Sequence, residues 1–135
     1  MTGEASVAVV RRLAAAYAAT DINTIDELLS DDVVFHVPGG HPLSGTYTGK
    51  SEVFRYLGQV AATSQSADGG FDLHAVMGND DHAVALVTGT IEHDGIRFVR
   101  PTVHVFHIGD GKVIEFWEAS LDQHAEDAFW RSALD

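Results

Sequence analysis

Apolar residues at Val7, Val10, Leu13, Ala14 and Tyr17 recur at helical spacing and predict a helix from about Ala5 to Thr20. A second, short helix follows, capped by Asp21 or Asn23 and carrying Ile25, Leu28 and Leu29 on one side. The run Val33-Val34-Phe35-His36-Val37 reads as a strand that Pro38-Gly39-Gly40 stops. Pro42, Gly45 and Gly49 mark a structured loop. Beyond it a helix from about Lys50 to Gln65 presents Val53, Phe54, Leu57, Val60 and Ala61 as its buried face. After Gly70 the pattern changes to strands, over Phe71–Met77, His82–Glu92, Ile96–Ile108 and Val113–Leu121. Asn79-Asp80-Asp81, His93-Asp94-Gly95 and Gly109-Asp110-Gly111 turn between them, the last two as hairpins. Pro101 falls inside the longest strand and predicts a bulge or bend there. Asp122 is placed to cap a C-terminal helix. Helices first and an antiparallel meander second predict an α+β fold, with helices on one face of a curved sheet.

Composition narrows the class. The 135 residues, 45% hydrophobic and 21% charged, make one globular domain, 1–135, with neither repeat nor linker. A formal charge of -12 repels phosphate backbones and anionic lipid, so no nucleic-acid or membrane partner is expected. No apolar run reaches the length of about 20 residues that spans a bilayer. Met1-Thr2-Gly3-Glu4 opens no signal peptide, and with no cysteine a soluble cytoplasmic domain is expected.

Strand parity selects the candidate chemistry. On the longest strand Ile96, Phe98, Arg100, Thr102, His104, Phe106 and Ile108 share one face. Arg97, Val99, Pro101, Val103, Val105 and His107 share the other, so one face suits the helices and the other a second copy of the sheet. The last strand divides into Ile114, Phe116, Glu118 and Ser120 against Val113, Glu115, Trp117, Ala119 and Leu121. A hairpin at Gly109-Asp110-Gly111 brings His104 beside Glu118, provided the register holds. Such a pair is either an acid/base couple in an apolar pocket or a structural ion pair. Arg100, on the same face, either binds an anionic group or pairs with one of the acids. The eight histidines show no metal-ligand spacing, so no metal is expected. Ser64, Ser66 and Ser120 sit in no nucleophile elbow, and the glycines build no phosphate loop.

Three stretches carry a resemblance: Ser30-Asp31-Asp32-Val33-Val34-Phe35-His36-Val37-Pro38-Gly39, Pro42-Leu43-Ser44-Gly45-Thr46-Tyr47-Thr48-Gly49-Lys50, and Phe106-His107-Ile108-Gly109-Asp110-Gly111-Lys112-Val113. Trp117-Glu118 followed by Leu121-Asp122-Gln123 adds to them. Together they resemble the SnoaL-like group of the nuclear-transport-factor-2-like superfamily, to which ketosteroid isomerase and polyketide cyclases belong. The resemblance implies a cone in which a curved antiparallel sheet wraps N-terminal helices around a pocket, with a short C-terminal helix. It also implies a homodimer through the outer sheet face.

Matched residue by residue, the cyclase branch's His and acid fall on His104 and Glu118. The epoxide hydrolases' last-strand acid also falls on Glu118, but their Arg-x-Asp falls on Thr90-Ile91-Glu92 and the arginine is missing. Ketosteroid isomerase's tyrosine and base fall on Leu13 and Val37, so its mechanism is not carried over. What the resemblance implies is a small cofactor-independent enzyme of cyclase, isomerase or dehydratase type acting on a hydrophobic metabolite. Glu118 and His104 would be catalytic, and Arg100 and Tyr17 would polarise a carbonyl. Phe35, Phe98, Phe106 and Phe116 would form apolar walls. Tyr47 either lines the pocket mouth or packs under its loop, and His36 is expected at the rim or interface. The alternative is a non-catalytic module of the same fold that binds a small ligand or dimerises.

Overall fold

A computed structural model describes residues 3–65 and 70–135. Met1, Thr2 and Ser66, named above, lie outside the described residues. The order is α1 (Gly3–Ala18), α2 (Ile22–Leu28), β1 (Leu29–Val37), β2 (Gly45–Thr48), α3 (Lys50–Thr63), β3 (Phe71–Gly78), β4 (His82–His93), β5 (Ile96–Gly109), β6 (Lys112–Ser120) and α4 (Gln123–Ala133). Local chemistry sets several of these limits. Asp21 caps α2 by accepting from the Thr24 amide at 3.2 Å, and Asp122 caps α4 through the Ala125 amide at 3.1 Å. Both hairpin turns take a left-handed Asp followed by a left-handed Gly: Asp94 and Gly95 at φ 50° and 79°, Asp110 and Gly111 at 52° and 75°.

The six strands form one curved sheet in the order β2-β1-β6-β5-β4-β3. It is mixed rather than wholly antiparallel, because β1 runs parallel to β6, with Phe35 opposite Phe116. Pro101 makes no bulge: the β4–β5 register runs unbroken past Thr88 opposite Pro101. Its carbonyl accepts from the Leu121 amide at 3.0 Å, so the missing N–H faces the residue just past the end of β6, where no ladder bond is lost from the strand interior. The shifts of register lie elsewhere, between Leu73 and Ala75, between Leu29 and Val34, and between His107 and Ile108. The last inserts Ile114 as an extra residue, which turns Val113 inward to full burial, against the simple alternation expected for this strand.

Even-numbered residues of β5 face the concave side, where Thr102, Phe106 and Ile108 are buried. The helices α1 and α3 cover that side. On α1, Val9, Val10 and Ala16 enter the core, while Leu13, Ala14 and Tyr17 face the hollow between helix and sheet. On α3 the buried face is Val53, Tyr56, Val60 and Thr63, with Phe54, Leu57 and Ala61 bordering the same hollow. Helix α4 crosses one end, its Trp130 fully buried. It is tied to the loop after β1 by the Gly40 amide donating to Asp127 and by Arg131 donating to the Gly40 carbonyl at 2.6 Å. Among the described residues no helix is long and apolar enough to cross a membrane.

Candidate functional site

The hollow between α1, α3 and the sheet is a cavity of about 600 Å³. Most of its wall is aliphatic or aromatic, and its ionisable groups among the described residues are Tyr17, Tyr56, Arg100, His104 and Glu118. The β5–β6 register, shifted by one at the extra residue Ile114, places His104 directly opposite Glu118, with His104 Nε2 3.3 Å from Glu118 Oε1. Arg100, two pairs further along the same face, donates to the same oxygen at 3.3 Å.

Glu118 is 7% exposed. Burial pushes its carboxyl up, but the hydrogen bond to His104 and the charge of Arg100 outweigh burial and hold it below the ordinary glutamate value. Desolvation likewise opposes the Arg100 charge, and the carboxylates of Glu118 and Glu126 overcome it, raising the guanidinium further. Burial raises Tyr56 well above a free phenol, reinforced by the Glu118 charge, and raises Tyr17 as well. At neutral pH the cavity therefore presents an ionised acceptor facing two protonated phenols.

The residues named from sequence separate into two groups. Phe35, Phe106 and Phe116 form one wall, with Phe35 stacked on Phe116 at 4.0 Å and Phe106 on Phe116 at 5.6 Å. Tyr17 closes the helix side, its ring 5.2 Å from Phe71. Phe98 shares their strand face but not the cavity; it stacks on Phe129 of α4 at 4.5 Å, because parity gives a face and not a depth. Tyr47 also stays out, its hydroxyl donating to the Leu43 carbonyl at 2.7 Å beneath the loop. His36 lies on the outer face, bonded to Glu115 at 2.6 Å and stacked on Trp117.

Two site residues were missed by the sequence reading. Tyr56 sits three residues after Val53 and four before Val60, a helical repeat that the neighbouring apolar positions Phe54 and Leu57 mask. Glu126 reaches Arg100 from α4, with Oε1 2.6 Å from Arg100 Nη2 and 2.7 Å from Nε. Its spacing of four from Trp130, whose indole N–H donates to it at 3.1 Å, is the only local sign. Among the described residues no three His, Asp or Glu side chains converge as metal ligands.

The SnoaL-like domain profile matches residues 10–116. The chain belongs to the SnoaL-like family. Bal32a, from a soil-derived mobile gene cassette, is similar at 30% identity and TM-score 0.88, over 96% of this chain and 98% of that one. Two further structures share the fold. An NTF2-like protein of Burkholderia xenovorans is 18% identical, with TM-score 0.71 over 98% of this chain and 96% of that one. TerC, co-crystallised with polyporic acid, is 19% identical, with TM-score 0.78 over 95% of this chain and 98% of that one. The SnoaL-like match ends before Glu118 and α4, so the two carboxylates around Arg100 lie outside it.

Proposed function

We propose that this SnoaL-like chain is a cofactor-independent acid/base enzyme acting on an uncharged, largely apolar small molecule that carries a carbonyl. The observation that carries the reading is Glu118, a buried carboxylate held ionised at the wall of an apolar cavity of about 600 Å³. Such a group removes a proton from carbon beside a carbonyl, and His104 orients it or shares the proton. Tyr56 and Tyr17, kept protonated, donate to the oxygen on which charge develops, with Arg100 behind them. The stacked wall of Phe35, Phe106 and Phe116 suits a flat, unsaturated substrate. TerC, the fold neighbour co-crystallised with polyporic acid, is consistent with a ligand of that shape. Cyclisation, isomerisation and dehydration all begin from this proton transfer.

The experiment is solvent deuterium exchange into a panel of hydrophobic ketones, followed by NMR. Wild-type protein is expected to catalyse exchange on at least one of them, and Glu118→Gln to lower the rate by about 10²–10⁴-fold while still binding that ketone. Equal exchange by the variant overturns the assignment and leaves a binding module.

The functional unit we propose is a homodimer through the outer sheet face. Val99 on that face is 49% exposed, and Val103, Val105 and Trp117 flank it on β5 and β6. Sedimentation velocity is expected to show a dimer that Val99→Lys weakens; a monomer at all concentrations overturns this.

A further inference from the structure

Glu126 is 1% exposed and belongs to a helix outside the family match, yet it makes the tightest ionic contact of the site. Arg100 gives it two short bonds, at 2.6 and 2.7 Å, and reaches Glu118 only at 3.3 Å. Trp130 fixes the arrangement from behind. Its indole donates to the same Glu126 oxygen at 3.1 Å, and the guanidinium carbon lies 5.7 Å from its ring centroid. A guanidinium caught this way has little freedom to swing toward β6.

We propose that Glu126 is a positioning residue: it draws Arg100 onto α4 and keeps the guanidinium's contact with Glu118 long, at 3.3 Å, so that this carboxylate stays better able to take a proton in the cavity than a full pair would leave it. The inference rests on the acid/base reading of Glu118. Were Arg100 to pair fully with Glu118, the carboxylate would be a still weaker base, because an opposite charge in closer contact stabilises the ionised form further. Glu126 acts in a second way with the same sign, since its own negative charge raises the proton affinity of Glu118. The groups acting on Glu118 or acted on by it are His104 and Arg100 on β5, Tyr56 on α3, Tyr17 on α1 and His41 of the loop after β1, and Glu126 on α4 shares the Arg100 Nη2 with it. Of these, Glu126 is the one that competes for the arginine.

The test is a ¹³C NMR titration of the Glu118 carboxyl, assigned by its loss in Glu118→Gln, in wild-type protein, Glu126→Gln and Glu126→Asp. Glu126→Gln keeps the side-chain shape and removes the charge, and it is expected to move the Glu118 midpoint down by about one pH unit or more. Glu126→Asp keeps the charge on a shorter arm and is expected to move it down by less, which serves if the glutamine variant does not fold. A purely packing role for Glu126 would lower thermal stability and leave the midpoint in place. An unchanged or raised midpoint in a folded variant overturns the proposal. The ketone exchange assay reads the catalytic premise separately: a lowered midpoint together with exchange indifferent to Glu118→Gln would keep the electrostatic coupling and discard its catalytic purpose.

Discussion

Replacing Arg100 by methionine removes the one cation held between two buried carboxylates. The arginine side chain is 11% exposed, that of Glu118 5% and that of Glu126 1%, so bulk water compensates none of them well. Truncating one partner of a buried ion cluster costs about 3–5 kcal/mol when a charge is left unpaired. Here two carboxylates would be left facing each other, which places the expected loss at the upper end. For a chain of 135 residues the unfolding entropy converts this at about 0.3 kcal/mol per degree, a fall in Tm of roughly 10–17 °C. Glu118→Gln makes the informative contrast. It leaves Arg100 paired with Glu126 at 2.6 Å, so no buried charge is orphaned and the loss is expected near 1–2 kcal/mol, about 3–7 °C. The assay is thermal and urea unfolding followed by circular dichroism and tryptophan fluorescence at neutral pH, with coincidence of the two probes as the check on two-state behaviour. The Arg100→Met deficit is further expected to shrink on acidification, because protonating the stranded carboxylates relieves their repulsion. An Arg100→Met loss under about 1 kcal/mol, or one smaller than that of Glu118→Gln, would refute the ion-cluster reasoning.

Tyr47→Phe strands the buried Leu43 carbonyl and is expected to cost about 1–2 kcal/mol in urea unfolding while leaving ketone binding unchanged. Phe116→Ala removes the ring shared by Phe35 and Phe106 and is expected to cost about 3–5 kcal/mol by the same measurement. Stability is also expected to fall with acidification in two stages. Burial lowers the His41 imidazole, so the unfolded chain takes up that proton more readily, and stability present above about pH 6.5 is lost as pH drops through the folded value. Glu118, also lowered, contributes stability that is present above the usual carboxylate range and lost as pH falls through its folded value. His41→Asn, which keeps an acceptor for the Leu43 amide, should flatten the first stage alone in a urea midpoint against pH series; an unaltered profile would refute the His41 assignment.

What was legible in the sequence was mostly local. Asp21 and Asp122 cap helices because a carboxylate at that position satisfies an amide the helix leaves free. The Asp-Gly turns marked the hairpins, but the turn's own register would set His104 opposite Trp117; the extra residue Ile114 shifts the pairing by one and brings Glu118 opposite His104. Where the physics was long-range the reading fell short. The parallel pairing of β1 with β6 leaves no mark on either strand, since each is apolar on its inner face whichever neighbour it takes. Ile114 gives no warning of the extra residue that turns Val113 inward. Phe98 was placed on the right face but beyond the cavity, and Tyr47 spends its hydroxyl on a loop carbonyl that only the folded chain brings near. Glu126 looked like one more surface acid on an acidic chain; its meaning depends on α4 folding back over Arg100.

The pairing of β1 with β6 carries a kinetic consequence. Strands β3 to β6 join neighbours in sequence through short turns, so each ladder closes a small loop at modest entropic cost. Phe35 must instead find Phe116 about 80 residues away, and contacts of that span slow the search. The ring stack that forms the cavity wall is thus expected to assemble after the meander, from an intermediate arrangement that leaves the inner edge of β6 bare. Pulsed hydrogen exchange during refolding would register this order as amides of β4 and β5 protected ahead of those in β1. A protein built this way acquires its sheet before it acquires its binding chamber, and the slowest conformational step is the one that makes the chamber.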